Sequence, residues 1–315
     1  MKRRDKNIKP SALVLFLTKR CNSRCPHCFW VLRDTDFFYT SDDMDMPIEK
    51  AKEVVDAYYD LGVRNIKLQS EGEVLQYKYL EELTLYCRKK GYHSFGLATN
   101  GIELDRYIDY ILNNIEYIAI SLDGYNAETY IKHRGGTEAT FNRIINGIRM
   151  LVEERNKRKL KNFEIHITSV LHDKNWVTAK HIVELVESLG VDRIKFSNFH
   201  PVGGEKKLKP ISTKHLQAMR SLFSKRSNKV KIRVPRTTCC QSPFYCAMLF
   251  RTALVGLGYN MAPCCRINTD PQWGVFTIEG DSHNSPKLRL FRKKFIRAKT
   301  VDDLPLPCRK CGRRA

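Results

Sequence analysis

Short β-rich runs alternate along the chain with longer amphipathic stretches, and this order restricts the possible folds more than any other feature. Strands are predicted for six apolar or alternating runs, at residues 12–17, 66–69, 94–98, 117–122, 163–170 and 193–199. Helices are predicted between them, at residues 47–60, 78–90, 104–113, 139–154 and 175–189. Such alternation favours parallel strand pairing with right-handed crossovers. Six units rather than eight predict an α/β fold, an open and partial (β/α)6 TIM-like barrel.

Three cysteines follow the first predicted strand at a spacing that suits a metal. Cys21, Cys25 and Cys28 form a C-x3-C-x2-C loop, which brings three thiolates together and supplies no fourth. Thiolates select zinc, copper(I) or iron–sulfur clusters. Because a structural zinc site closes with four protein ligands, three thiolates leave one metal position open for a substrate or cofactor. A zinc loop, or simply buried thiols, is the alternative at this point.

Three further polar motifs come at the ends of later predicted strands. They are 71–75 (EGEVL), 99–101 (TNG) and 121–124 (SLDG), and the last runs into a segment that contains Arg134. The carboxyl ends of parallel barrel strands meet on the face where barrel enzymes place their chemistry. We therefore expect these motifs and the cysteine loop to surround one site.

In order and spacing, these motifs resemble those of the radical S-adenosylmethionine (SAM) superfamily over residues 13–135. The resemblance implies a [4Fe–4S] cluster on the three cysteines, with one iron that chelates the amino and carboxylate groups of SAM. An electron from the cluster then cleaves SAM to a 5′-deoxyadenosyl radical. The residues that the resemblance places around SAM are His27, Gly72, Glu73, Asn100, Ser121, Asp123 and Arg134. Glu71 and Val74 depart from the family's Gly-Gly-Glu-Pro segment.

A second group of cysteines lies near the end of the chain, where seven of the eleven fall within residues 239–315. Cys308 and Cys311 form a C-x2-C pair, and Cys246 with Cys264 or Cys265, after a predicted hairpin at 249–262, completes four ligands. Four thiolates suit zinc and an iron–sulfur cluster about equally. Behind a radical SAM core, however, this layout resembles the Twitch domain, the shortened relative of the SPASM domain. That resemblance implies one auxiliary [4Fe–4S] cluster, preferably on Cys264, and so two clusters in total.

The same change in cysteine content predicts a domain boundary. Residues 1–228 would form the radical SAM partial barrel, and residues 229–315 the Twitch/SPASM-like auxiliary cluster domain. Cys239, Cys240 and Cys265 are then left over as candidate hydrogen donors to a substrate radical. Cys87 falls in a predicted helix and is expected to be a small core residue.

Composition and charge narrow the class of protein further. The apolar content of 42% is ordinary for a globular protein, and no run reaches the roughly 18 apolar residues of a membrane span. We expect a cytoplasmic protein whose thiols stay reduced. The net charge of +21 indicates either solvated surfaces or attraction of an anionic partner. Aromatic residues are not interleaved with the basic ones as on a single-strand stacking platform, which disfavours nucleic-acid binding.

The resemblance to radical SAM proteins with a Twitch or SPASM domain implies an oxidoreductase-type enzyme that removes hydrogen from a carbohydrate-like or other anionic small molecule. An electron donor such as flavodoxin or ferredoxin is expected. One alternative is an epimerase or maturase of a sugar or ribosomal peptide that uses a cysteine hydrogen donor. A second alternative is a zinc-binding nucleic-acid protein, which leaves the motifs around Ser121 and Arg134 unexplained.

Overall fold

The computed structural model describes residues 8–28, 44–199, 208–224, 229–235, 246–257, 260–262, 276–277, 284–300, 302–304 and 308. These residues contain ten strands in one sheet: β1 (Ala12–Phe16), β2 (Asn65–Gln69), β3 (Ser94–Thr99), β4 (Tyr117–Ser121), β5 (Glu164–Leu171), β6 (Arg193–Asn198), β7 (Lys231–Arg233), β8 (Thr252–Val255), β9 (Asn260–Ala262) and β10 (Phe276–Thr277). Their order across the sheet is β10-β9-β8-β1-β2-β3-β4-β5-β6-β7. The eight neighbours from β8 to β7 pair in parallel. The predicted partial α/β barrel is therefore confirmed.

Helices follow most of the strands. They are α1 (Ile48–Asp60), α2 (Leu80–Lys90), α3 (Ile108–Asn114), α4 (Ala127–Arg134), α5 (Glu138–Lys157), α6 (Ala179–Ser188), α7 (Thr213–Ser224), α8 (Ala247–Arg251) and α9 (Pro286–Arg297). Three short 3₁₀ turns lie at Val74–Gln76, Leu104–Arg106 and Trp176–Thr178. The helix predicted at 104–113 is thus divided, since Tyr107 leaves the helical conformation between its two parts. In the described parts of the chain, no helix has both the length and the apolar character needed to cross a bilayer.

The two faces of the sheet differ in character, as the pleat requires. On β5, Ile165 and Ile167 are fully buried in the main hydrophobic core, together with Ile148 of α5 and Val183 of α6. The alternate residues of the same strand are only partly buried. We call this second side the inner face; its members on β4, β5 and β6 are Tyr117, Ala119, Ser121, Glu164, His166, Thr168, Val170, Arg193, Lys195 and Ser197.

Residues after position 228 extend the same sheet at both of its sides. β7 pairs with β6, and β8 pairs with β1 in the middle of the sheet. β8 and β9 form an antiparallel pair, so the hairpin predicted at 249–262 exists, but its first residues belong to α8. Phe291 and Phe295 of α9 join the main core. The domain boundary between residues 228 and 229 stays a prediction.

Candidate active site

The cysteine loop leaves β1, which has a parallel neighbour on each side. Cys25 is buried, whereas Cys21 and Cys28 are partly exposed. The backbone N–H of Cys28 donates to the carbonyl of Cys25 at 2.9 Å, which closes a turn between the last two cysteines. Burial raises the pKa of the Cys21 thiol to about 12. A bound cation would be needed to hold it as a thiolate at neutral pH.

Gly72 lets the loop after β2 touch the segment that leads into the cysteines. Its N–H donates to the carbonyl of Thr18 at 3.0 Å, and the next N–H, of Glu73, donates to the carbonyl of Arg20 at 2.7 Å. A Cβ at position 72 would lie 2.1 Å from the backbone oxygen of Arg20, a contact that real Cβ atoms do not make. The close approach of two backbones therefore requires glycine here.

Hydrogen bonds of Glu73 and Asn100 connect the ends of β2 and β3 with each other and with the cysteine loop. The buried Glu73 carboxylate accepts hydrogen bonds from the Thr99 hydroxyl and the Asn100 N–H, both at 2.6 Å, and from the Leu75 N–H at 3.2 Å. Burial raises the pKa of Glu73, and these donors act in the opposite direction. The Asn100 amide donates to Asn22 Oδ1 at 2.7 Å. Their contacts to SAM stay a prediction.

Asp123 organises the site after β4. It is fully buried, and its Oδ1 accepts a hydrogen bond from the Val170 N–H at 2.6 Å. Its Oδ2 accepts from Arg134 Nη1 at 3.0 Å and lies 3.4 Å from His27 Nε2. Burial opposes ionisation, but Arg134 and His27 hold the pKa of this carboxyl below its ordinary value. Asp123 is therefore an anchor for two cationic or polar side chains.

The ring of His27 faces the interior of the protein. Its Nδ1 lies 2.7 Å from the carbonyl oxygen of His133, and because a carbonyl only accepts, Nδ1 is the donor. Nε2 is thereby turned toward Asp123. Burial lowers the pKa of His27. No local sequence pattern predicts this bridge between the cysteine loop and α4. The only indication in the sequence is a histidine at a position where the family often has an aromatic residue. The adenine contact stays a prediction.

Arg134 carries an unusual buried atom. Its Nε is buried and, within the part of the chain that the structure describes, has no hydrogen-bond partner. An unsatisfied buried donor costs about 1–3 kcal/mol, so a missing acceptor is indicated here. Ser121, also at the end of β4, lies with its Oγ 3.5 Å from Thr168 Oγ1. An orphaned guanidinium donor is what a carboxylate of SAM would satisfy.

Three thiolates on one loop are donors of the kind that bind an iron–sulfur cluster. Among the described residues, no three or more Cys, His, Asp or Glu side chains are arranged to hold one metal ion. In a cubane each cysteine binds a different iron, so the sulfurs need not converge on one point. A cavity of about 380 Å³ flanks the loop, lined by Cys21, Asn22, Ser23, Arg24, Ile102, Tyr130, Gly136 and Thr140.

The structure describes only part of the second cysteine group. Cys246, just before α8, and Cys308 are partly buried and pack against the main core. Cys239, Cys240, Cys264, Cys265 and Cys311 lie outside the described residues. Buried Cys87 on α2 belongs to the core, as predicted. The auxiliary cluster and the hydrogen donors therefore stay predictions.

Known proteins resemble this chain in amino-acid sequence, and others resemble it in fold. Fe-coproporphyrin III synthase of Methanosarcina barkeri is 29% identical over 194 residues, which cover 61% of this chain and 44% of that protein. GTP 3′,8-cyclase of Synechocystis sp. is 27% identical over 176 residues, covering 56% and 49%. The chain thus spans about half the length of these curated relatives.

Solved structures match this chain in fold, and two of them serve as examples. Streptococcus suis SuiB bound to S-adenosylmethionine gives a TM-score of 0.71 at 14% identity, covering 96% of this chain and 72% of that one. The structure of anSMEcpe with bound AdoMet and Cp18Cys peptide gives 0.69 at 17% identity, covering 97% and 89%. The sequence profile of the radical SAM superfamily matches residues 15–186, more than half of the chain and including the cysteine loop and all the strand-end motifs. The chain therefore belongs to the radical SAM superfamily.

Proposed function

We propose that this radical SAM enzyme oxidises an anionic, carbohydrate-like or nucleotide-like small molecule. The observation that carries the proposal is the set of polar groups at the strand ends, with its orphaned Arg134 Nε beside the cysteine loop. When bound, a [4Fe–4S] cluster and SAM would supply an electron and a 5′-deoxyadenosyl radical, which abstracts hydrogen from carbon. We propose a cytoplasmic location and an electron donor such as flavodoxin or ferredoxin.

The residues of the chain would bind and orient these groups. Cys21, Cys25 and Cys28 would hold the cluster, and Arg134 would donate from Nε to the carboxylate of SAM. The guanidinium group of Arg134 is already oriented, because its Nη1 donates a hydrogen bond to Asp123 Oδ2 at 3.0 Å. Pre-organised donors in a buried site lose little free energy to reorganisation.

A second cluster is part of the proposal. Its ligands would be Cys246, Cys264, Cys308 and Cys311, in a Twitch/SPASM-like region at residues 229–315. Support comes from the spacing of the cysteines, since Cys308 and Cys311 form a C-x2-C pair and Cys246 lies before the β8–β9 pair. The second cluster would accept the electron of the substrate radical, which makes the net reaction an oxidation.

A peptide substrate is the second candidate, because several similar structures contain peptides. Examples are SuiB bound to the precursor peptide SuiA and anSMEcpe with the Cp18Cys peptide. The name of GTP 3′,8-cyclase points instead to a nucleotide substrate for that relative. The high positive charge of this chain favours an anionic substrate.

The first test is the formation of 5′-deoxyadenosine by reconstituted, reduced protein. We expect cleavage of SAM by the native chain and by the Cys87→Ala control, which alters a buried thiol far along the chain from the loop. Simultaneous Cys21→Ala, Cys25→Ala and Cys28→Ala changes should abolish it. Stoichiometric zinc with no iron, or cleavage by the triple variant, would refute the proposal.

Turnover in deuterated water separates oxidation from epimerisation. If the electron leaves to a cluster, no deuterium enters the product at the reacting carbon. Single Ala changes at Cys239, Cys240 and Cys265 then keep activity. Deuterium in the product, lost together with activity in one of these variants, would favour an epimerase.

A further inference from the structure

Four cationic side chains lie next to one another on the inner face, on β6 and β7. The register pairs Arg193 with Lys231 and Lys195 with Arg233. Between them, Ile194 is fully buried in the core on the opposite face, and Ile232 packs against that core. From strand spacing and rise, the four Cα atoms form a rectangle of roughly 5 by 7 Å. We call Arg193, Lys195, Lys231 and Arg233 the basic patch.

Within the described residues, one cation of the basic patch has a carboxylate partner and two have none. Arg193 Nη2 donates to both carboxylate oxygens of Glu164 at 3.2 Å, and that carboxylate also lies 2.7 Å from His166 Nε2. Lys231 and Arg233 form no ion pair with another described residue. Arg193 Nε is buried and has no partner in the described ranges. The charges of Lys231 and Arg233 are therefore not balanced by any carboxylate in the described part of the chain.

The basic patch is not explained by stability. Like charges directly opposite each other destabilise a sheet. Charged residues on an edge strand can prevent edge-to-edge association, which would account for Lys231 and Arg233 on β7. Arg193 and Lys195 lie on β6, which has a partner on both sides. The two opposed pairs therefore point to a ligand.

The basic patch shares a row of the sheet with the site after β4. Ser121, Thr168, Lys195 and Arg233 are consecutive register partners across β4, β5, β6 and β7. At one strand spacing per step, Lys195 is roughly 10 Å from Ser121. The distance from the basic patch to the place where SAM is expected is thus about the length of one sugar ring with its linkages.

We propose that the basic patch binds a phosphate or diphosphate group of the substrate. One ligand carboxylate would not balance the two charges of Lys231 and Arg233, whereas phosphate oxygens carry more charge and accept bidentate hydrogen bonds from guanidinium groups. The substrate is then a phosphorylated small molecule whose other end reaches toward Ser121. This inference rests on the proposed function, since it assigns the substrate class of the same site.

Calorimetric titration of inorganic pyrophosphate into the full reconstituted chain with SAM tests the proposal. We expect binding that weakens by about tenfold or more in the Lys195→Gln/Arg233→Gln variant. The control is Lys89→Gln, an exposed cation of α2 on the helical side of the sheet, which should bind as the native chain does. Inorganic phosphate in place of pyrophosphate distinguishes a monophosphate site, and acetate should not compete.

Equal affinity in the native chain and the double variant, or equal competition by acetate, would overturn the proposal. The single variant Lys231→Gln changes an exposed side chain on β7 and should therefore fold. It should weaken pyrophosphate binding by about threefold, so it tests the proposal even if the double variant does not fold. Formation of 5′-deoxyadenosine without substrate is measured in the same samples. Its absence in the native chain would contradict the proposed function, whereas its presence without pyrophosphate binding would contradict only the basic patch.

Discussion

At the scale of single residues, the site depends on one position that has no side chain. Gly72→Ala places a methyl group against the carbonyl of Arg20, at 2.1 Å without movement, so the loops of β1 and β2 must separate. We expect the free energy of unfolding to fall by about 1–3 kcal/mol, and formation of 5′-deoxyadenosine to be lost. Urea unfolding and the cleavage assay measure the two effects.

The matched control for that change is Gly62→Ala. Gly62 has φ +89°, and a Cβ there meets nothing within 4 Å. It should lose about 1–2 kcal/mol through the left-handed backbone alone and keep full cleavage of SAM. Loss of activity in both variants would show that the contact with Arg20 is not the cause.

His172 gives the protein a pH dependence whose sign follows from its surroundings. It is 3% exposed, and its Nδ1 accepts a hydrogen bond from the Lys174 N–H at 3.1 Å, which fixes the neutral ring. Burial lowers its pKa to about 4. As pH falls from about 6.5 to 4, the unfolded chain binds a proton that the folded chain does not, so stability falls by up to ~3 kcal/mol.

The His172→Gln variant should therefore show a flatter fall of unfolding free energy between pH 6.5 and pH 4 in urea titrations. His181→Gln is the control, because His181 lies on the surface of α6 beside Glu184. An unchanged slope in His172→Gln would assign the acid sensitivity to other groups.

Sequence alone located the polar residues of the site but not their partners. The resemblance lists Asp123 among the residues around SAM, which stays a prediction, and the structure adds that its carboxylate accepts hydrogen bonds from Arg134 Nη1 and the Val170 N–H. Arg134 Nε is left without a partner among the described residues. Strand-end positions follow from local periodicity. Which buried groups satisfy one another depends on contacts between segments far apart in the chain, which periodicity does not encode.

At the scale of elements, β8 supports the strand that carries the cysteine loop. Leu254 of β8, 1% exposed, packs with Val14 and Phe16 of β1 on the other side of the sheet from the main core. Leu254→Ala should lower the free energy of unfolding by about 2–5 kcal/mol. Leu290→Ala on α9, where the side chain is 55% exposed, should change it by no more than about 0.5 kcal/mol. Equal effects would contradict the pairing of β8 with β1.

The elements that the sequence did not predict have physical reasons in common. β7 has three residues, two of them charged, so it has no apolar pattern of its own. The apolar residues of β8 and β9 predicted a hairpin, but not the pairing of β8 with β1. That pairing joins segments that are separated by almost the whole described chain. α4 has a weak periodicity and is fixed by the capping box between Asn126 and Thr129.

At the scale of the whole molecule, the two proposed clusters should be separable by iron content. Anaerobically reconstituted protein should hold about eight irons, four for each cubane. Cys308→Ala should remove about half of the iron and abolish product, while some uncoupled 5′-deoxyadenosine formation continues. The control, Cys87→Ala, should keep the full iron content. Full iron and full product in Cys308→Ala would leave the second group of cysteines with a structural role only.

The position of β8 beside β1 also bears on how the protein is made. The ribosome produces β1 long before β8, so the nascent chain exposes one edge of its central strand while most of the barrel is already synthesised. An unpaired edge of this kind invites association with other chains and is a substrate for chaperones. Loading of iron and sulfide onto the loop that follows β1 is then expected only after translation has passed Val255 and β8 has paired with β1.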